Sequence, residues 1–164
     1  MNTSELYKIF LNYSTICTDS RKIEKDSIFF SLKGDSFNGN KFAKQAIKDG
    51  CKYAIIDEKE YLSENCILVE DVLKSLQSLS SYHRDTLNIP LIGITGTNGK
   101  TTTKELIHST LSSKYNCYST KGNLNNHIGV PLSLLEITDK TEIAVIEMGA
   151  NHIGEIDFLC KLSK

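Results

Sequence analysis

One segment constrains the fold of this chain more than any other: a glycine-rich turn at residues 96–102, Gly-Thr-Asn-Gly-Lys-Thr-Thr. The apolar run before it, at residues 91–95, has the length of a strand. After the turn, from residue 101 to about 113, apolar residues recur at helical spacing and predict a helix. The residues predicted to face inward on that helix are Leu106, Ile107, Thr110 and Leu111. A strand that passes through glycines directly into a helix favours an α/β fold.

The rest of the chain continues this alternation. The pattern predicts strands near residues 28–32, 53–56, 67–69, 115–119 and 143–147, and helices near 42–47, 72–82, 130–135 and beyond 154. Glycines become frequent in the second half, and Pro90 precedes a new apolar run, which indicates a boundary. We therefore expect a small N-terminal α/β domain at residues 1–88. Residues 89–164 are expected to form the first part of a P-loop ATPase-type parallel α/β domain with three recognisable strands.

The residue types in the turn are those that bind a nucleoside triphosphate. Gly96 and Gly99 allow backbone N–H groups to point at an anion, and a helix N-terminus adds partial positive charge. Lys100 would contact the β and γ phosphates, and the Thr101 hydroxyl would bind Mg²⁺. The standard spacing requires a glycine where this chain has Ile94, because Gly93 lies one residue too early. The alternative, an incidental lysine in an ordinary turn, is much less favoured.

Two further segments follow predicted strands in the second half. Glu147 ends a strand, at the edge where ligands bind in parallel sheets, and could hold Mg²⁺. An exposed acid without a ligand is an equal alternative for Glu147. Asn125 and Asn126 lie in a glycine- and asparagine-rich loop whose amides suit sugar, amide or phosphate recognition. A plain polar turn explains that loop equally well.

Two polar segments flank the predicted strand at residues 28–32. One is Thr18-Asp19-Ser20-Arg21 and the other runs from Lys33 to Gly39. Arg21 and Lys33 could meet a diphosphate, and Phe37 could stack on a pyrimidine. From the residues alone, two hydrophilic turns are the favoured interpretation.

Composition excludes several classes of protein. Nineteen basic against twenty acidic residues argue against a nucleic-acid binder that works through bulk charge. No apolar run approaches the about 20 residues that cross a bilayer, and the N-terminus lacks the signal-peptide pattern. The five cysteines show no C-x-x-C spacing and predict reduced thiols in a cytoplasmic protein. The four histidines lack the spacing of a zinc site.

Taken together, these segments resemble the Mur ligases, the ATP-dependent amide-forming enzymes of peptidoglycan precursor synthesis. Residues 96–102 look like the ATP loop of that family, whose version also carries the glycine shifted to the place of Gly93. Residues 18–21, 28–30 and 33–34 resemble its uridine-nucleotide domain. Residues 122–131 and 147–156 resemble the branch that joins D-alanyl-D-alanine to a UDP-N-acetylmuramoyl-tripeptide.

The resemblance implies roles for particular residues. ATP would bind at Gly96, Thr97, Asn98, Gly99, Lys100, Thr101 and Thr102, and Mg²⁺ at Thr101 and Glu147. Lys100 and Glu147 would be the catalytic residues. The tripeptide substrate would contact Asn125 and Asn126, and its uridine end would contact Thr18, Ser20, Arg21, Gly34, Asp35, Ser36 and Phe37.

The resemblance also implies parts that these 164 residues do not include. Ligases of this family carry a carbamylated lysine and a histidine later in the central domain, followed by a third domain. We therefore expect the chain to be the N-terminal piece of such a ligase, inactive alone. We further expect a monomer that binds neither nucleic acid nor a membrane. Two alternatives stay open: the branch that adds a single diamino acid, and a non-catalytic nucleotide-binding module.

Overall fold

The computed structural model describes residues 1–164, which form two compact units, Met1–Leu79 and Ser80–Lys164. The helices are α1 (Thr3–Asn12), α2 (Ala43–Lys48), α3 (Val72–Thr86), α4 (Lys100–Leu111), α5 (Gly129–Leu135) and α6 (Glu155–Ser163). The strands are β1 (Ile16–Cys17), β2 (Ile28–Phe30), β3 (Lys33–Gly34), β4 (Phe37–Asn38), β5 (Tyr53–Ile56), β6 (Cys66–Leu68), β7 (Leu91–Ile94), β8 (Cys117–Ser119) and β9 (Ile143–Glu147). Short 3-10 helices span Gly39–Phe42 and Lys59–Tyr61.

The first unit is built on a four-stranded parallel sheet in the order β1-β2-β5-β6. Successive side chains of a strand point to opposite faces, and both faces of this sheet are covered. Phe29, Ala54 and Ile56 lie in one buried cluster with the α2 residues Ala43 and Ala46. The alternate residues of the same strands are also fully buried, namely Ile28, Phe30 and Ile55. Burial on both faces explains why these strands read as continuous apolar runs.

A small antiparallel hairpin, β3-β4, follows β2 in the first unit and was not predicted as strands. Charged and polar contacts attach it to the end of β5. Lys33 Nζ lies 3.0 Å from Asp57 Oδ1, and Asn38 Nδ2 donates to Glu58 Oε2 at 2.9 Å. The buried Asn40 donates to the same Asp57 oxygen. Burial opposes ionisation of Asp57, but the donors Asn40 and Lys33 nevertheless hold its pKa below the usual value. The hairpin is thereby fixed at the carboxyl edge of the sheet.

The second unit contains a three-stranded parallel sheet in the order β7-β9-β8. In β9 and just after it, Ala144, Ile146 and Met148 pack against α5 and α6 in one buried cluster. Val145 and Glu147 alternate with these residues, so they point to the opposite face, against which α4 packs. Glu147 thus lies on the side of the sheet that α4 covers.

The parallel α/β fold predicted from the sequence is confirmed, whereas the predicted inner face of α4 is wrong for two of its four residues. Leu106 is 65% exposed, and Thr110 is exposed as well. Ile107 and Leu111 are half-buried. The fully buried side chain of this helix is Lys104. The inner face of α4 therefore contains Lys104 together with Ile107 and Leu111, and the apolar spacing missed it in part because its most buried residue is charged.

The two units, residues 1–79 and 80–164, are distinguished because the residues of each contact mainly one another. The domain boundary at residue 88 therefore stays a prediction, since it rests on the glycine and proline distribution. Among the six helices, none combines the length and the apolar character needed to cross a bilayer.

Candidate functional site

The glycine-rich turn joins β7 to α4 through two glycines with positive φ. Gly96 has φ 150° and Gly99 has φ 75°, and L side chains rarely adopt either conformation. Gly99 precedes the first helical residue, Lys100, and no side chain caps the helix there. A side chain placed at Gly99 would meet no atom within 4 Å. The start of α4 is thus uncapped and exposed, the arrangement in which a helix N-terminus binds an anion.

Lys100 lies across this turn. Its ammonium Nζ donates to the carbonyl of Gly96 at 2.7 Å, and the side chain is half-exposed. The other residues of the turn, Thr97, Asn98, Thr101 and Thr102, are exposed. The turn therefore combines a positive charge, backbone donors and hydroxyl groups on one accessible surface.

Glu147 lies beside the start of the turn. Its backbone is the register partner of Ile94, the last residue of β7. The side chain is 2% exposed, so the interpretation of Glu147 as an exposed strand-end acid is wrong. Oε1 accepts a hydrogen bond from Asn125 Nδ2 at 2.7 Å. Oε2 is buried and has no hydrogen-bond partner.

A buried carboxylate oxygen without a partner is costly in free energy, and a bound cation removes that cost. Mg²⁺ prefers oxygen ligands and is held by one or two carboxylates together with substrate phosphates. The structure has no cluster of three or more His, Cys, Asp or Glu side chains. The unpartnered Oε2 of Glu147 therefore fits a Mg²⁺ ion whose other ligands are phosphate oxygens, and the residues present do not form an all-protein metal cage.

Asn125 connects the asparagine-rich loop to the end of β9. Besides its bond to Glu147, its carbonyl accepts the N–H of Gly149 at 2.7 Å. A side chain at Gly149 would lie 3.1 Å from Asn125 Cγ, so the close approach favours glycine. Asn126 has a different local role, because its Oδ1 accepts the N–H groups of Ile128 and Gly129 at the start of α5. The structure thus brings Asn125 into the Glu147 site, while the Asn126 side chain bonds to the backbone that leads into α5.

Two residues that the sequence did not predict are connected to Glu147 by hydrogen bonds. Thr120 Oγ1 accepts the backbone N–H of Glu147 at 2.9 Å, and Thr120 is 1% exposed. Lys104 Nζ donates to the carbonyl of Thr120 at 2.7 Å and lies 2.9 Å from Glu105 Oε1. Its ammonium lowers the pKa of Glu105. A lysine in a helix normally indicates the exposed face, so no sequence signal marked Lys104.

In the first unit, the predicted uridine residues follow two neighbouring strands. Thr18 and Ser20 come after β1 and are half-buried. Arg21 is exposed, and its Nη2 lies 2.8 Å from Asp19 Oδ2. Hydrogen bonds from Arg21 lower the pKa of Asp19. Since β1 and β2 are parallel, both polar segments lie at the carboxyl edge of this sheet.

The hairpin carries the remaining predicted residues. Gly34, Asp35 and Ser36 are exposed at its turn. Phe37 is 47% exposed and stacks on Phe42, with ring centroids 5.4 Å apart and planes inclined by 10°. An exposed pair of stacked rings is an aromatic surface that a planar base can extend.

Known proteins match both units. Residues 12–95 match the family described as "Mur ligase family, catalytic domain", and residues 94–164 match "Mur ligase middle domain". The UDP-N-acetylmuramoyl-tripeptide–D-alanyl-D-alanine ligase of Bacillus subtilis is 44% identical over 151 residues, which are 90% of this chain and 33% of that protein.

Two solved structures are similar in fold. One is the UDP-N-acetylmuramoylalanyl-D-glutamyl-2,6-diaminopimelate–D-alanyl-D-alanyl ligase of Acinetobacter baumannii, with a TM-score of 0.84 and 39% sequence identity. The match covers 91% of this chain and 34% of that ligase. The other is the MurF ligase of Thermotoga maritima in complex with ADP, with a TM-score of 0.83 and 33% sequence identity. That match covers 93% of this chain and 36% of the Thermotoga ligase. The chain therefore spans about a third of the length of the relatives it matches.

Proposed function

The chain belongs to the Mur ligase family, and from this premise we propose that it carries the uridine-nucleotide and ATP-binding parts of a D-alanyl-D-alanine-adding ligase. The whole protein would join that dipeptide to UDP-N-acetylmuramoyl-tripeptide with consumption of ATP, in the cytoplasm. One observation carries the proposal: Glu147, with its unpartnered Oε2, lies beside the turn that opens α4.

ATP is proposed to bind at the turn, residues 96–102. The open space at Gly99 and the uncapped start of α4 support this assignment. Lys100 would leave the Gly96 carbonyl and contact the β and γ phosphates. The Thermotoga relative, which binds ADP, supports a nucleotide at a site of this family.

Mg²⁺ is proposed to bind between Thr101 and Glu147, where Oε2 of the carboxylate has no other partner. When bound there, Mg²⁺ would reduce the negative charge of the phosphates. Asn125 holds Oε1 of the same carboxylate and thereby orients Oε2.

The reaction is proposed to proceed in two steps. The terminal carboxylate of the tripeptide attacks the γ phosphorus of ATP, which forms an acyl phosphate and releases ADP. The amine of D-alanyl-D-alanine then attacks the acyl carbon, which forms the amide, releases phosphate and gives up a proton. Lys100 stabilises the charge on the transferred phosphoryl group in the first step.

The first unit is proposed to bind the uridine end of the tripeptide substrate. Thr18, Ser20 and Arg21 at one strand end, together with the hairpin residues Gly34, Asp35, Ser36 and Phe37, would contact the nucleotide. The exposed Phe37–Phe42 stack supports a base-binding role. Asn125 and Asn126 would face the muramoyl part.

A comparison of acceptors in the whole protein tests the proposed function. With ATP, Mg²⁺ and UDP-N-acetylmuramoyl-tripeptide, we expect phosphate release when D-alanyl-D-alanine is present and a product heavier by that dipeptide. Lysine and diaminopimelate, each offered with the UDP-dipeptide substrate that lacks the third residue, should release none. Phosphate release with either amino acid would assign the diamino-acid branch instead. ATP binding without phosphate release in the presence of any of these acceptors would indicate a non-catalytic module.

A further inference from the structure

We propose that Lys104 is a positioning residue for Glu147, and that it fixes the Mg²⁺-binding carboxylate relative to the phosphate turn. This inference rests on the proposed function, since it assigns Glu147 to Mg²⁺. Lys104 lies one helical turn after Lys100 in α4, and its side chain is buried where this helix contacts the sheet.

The burial of Lys104 is the first observation. Its side chain is 1% exposed, although a lysine loses hydration energy when its ammonium leaves water. A methionine or leucine would fill a similar volume without that cost, and buried ion pairs are often replaced by apolar residues without loss of stability. The partner carboxylate, Glu105, is itself 61% exposed, which makes a purely stabilising ion pair a weak explanation.

The second observation is what the ammonium holds. Nζ donates to the carbonyl of Thr120 at 2.7 Å, directly after β8. The hydroxyl of the same threonine accepts the N–H of Glu147 at 2.9 Å. Lys104 thus acts on Glu147 through one intermediate residue, and two hydrogen bonds connect the ATP-loop helix to the end of β9.

The third observation is the direction in which the side chains of Glu147 and Lys104 point. Glu147 points to the face of the sheet that α4 covers, and Lys104 points from α4 toward that sheet. A shift of α4 relative to β9 would move Lys100 and Thr101 away from Glu147, and the Lys104–Thr120 bond opposes it. Residues that orient a metal-binding carboxylate in this way typically change metal affinity by about 10–100-fold when they are replaced.

The test compares nucleotide binding with and without Mg²⁺ in the whole protein. We expect Lys104→Met to weaken ATP binding in Mg²⁺ by about 10-fold and to leave ATP binding in EDTA nearly unchanged. Lys104→Arg keeps a buried donor and should recover most of the loss. Lys161→Met, which removes an exposed lysine of α6, is the matched control and should bind as the wild type does. Equal losses with and without Mg²⁺, or no loss in either condition, would overturn the inference.

Lys104→Met could lose binding because it fails to fold, which circular dichroism would detect. A second variant, Thr120→Val, therefore tests the same connection. Thr120→Val keeps the carbonyl that Lys104 binds but removes the hydroxyl that holds Glu147. Its ATP binding in Mg²⁺ should weaken by the same factor as in Lys104→Met, while its ATP binding in EDTA should stay nearly unchanged. ATP binding in Mg²⁺ at the wild-type affinity would contradict the inference. Failure of the proposed function has a separate signature, because the wild-type protein itself would then show no Mg²⁺-dependent ATP binding.

Discussion

Replacement of Lys100 by alanine is expected to weaken ATP binding by about 10–100-fold, the equivalent of one lost charge-assisted hydrogen bond. The ammonium is the positive charge that lies over the turn, where it donates to the Gly96 carbonyl. Ligation should fall further than binding, because Lys100 is proposed to act on the phosphoryl group in transfer. Calorimetric titration with ATP measures the first effect, and phosphate release from the whole protein measures the second.

The matched control for Lys100→Ala is Lys161→Ala, which removes the same charge from the exposed surface of α6. That variant should bind ATP with the wild-type affinity. Unchanged affinity in Lys100→Ala would contradict the assignment of residues 96–102 to the phosphates. Equal losses in the two variants would indicate an effect of net charge only.

The second large effect is expected from Glu147→Gln. Glutamine keeps the volume and can still accept from Asn125, but it replaces the unpartnered anionic oxygen by a neutral amide. We expect ligation to fall by about 100-fold or more, since the carboxylate proposed to bind Mg²⁺ is lost. The melting temperature should stay level or rise, because a buried charge without a partner is removed. Lower activity together with undiminished stability is the signature of a functional carboxylate.

Two measurements check this expectation: phosphate release as a function of Mg²⁺ concentration, and thermal unfolding. Glu142→Gln is the control, since Glu142 immediately precedes β9, where its Oε2 accepts the N–H of Asn116. It should leave the Mg²⁺ dependence unchanged. A Glu147→Gln protein that ligates at the wild-type rate would exclude Glu147 as a metal ligand.

Local sequence signals predicted the glycine-rich turn and the strand that carries Glu147. Residues 143–147 form the strand that the apolar run indicated, and the glycine-rich turn lies between a strand and a helix as expected. Both are determined by consecutive residues: a buried parallel strand is a continuous apolar run, and the positive φ of the turn favours glycine.

The features that the sequence did not predict depend on distant partners. Lys104 is buried because β8 places the Thr120 carbonyl beside it, 16 residues further along the chain. The β3-β4 hairpin has strands of two residues, too short for a periodic pattern, and Asp57 and Glu58 hold it in place. In each case a contact across the fold outweighs the local preference of the residue.

The most direct test of the proposed reaction follows the oxygen atoms of the tripeptide carboxylate. The whole protein would be given UDP-N-acetylmuramoyl-tripeptide labelled with oxygen-18 in that carboxylate, together with ATP, Mg²⁺ and D-alanyl-D-alanine, and the released phosphate would be analysed by mass spectrometry. Attack of the carboxylate on ATP predicts that one labelled oxygen appears in the phosphate for each amide formed. Amide formation with unlabelled phosphate would contradict an acyl phosphate and, with it, the proposed use of the Lys100 and Glu147 site.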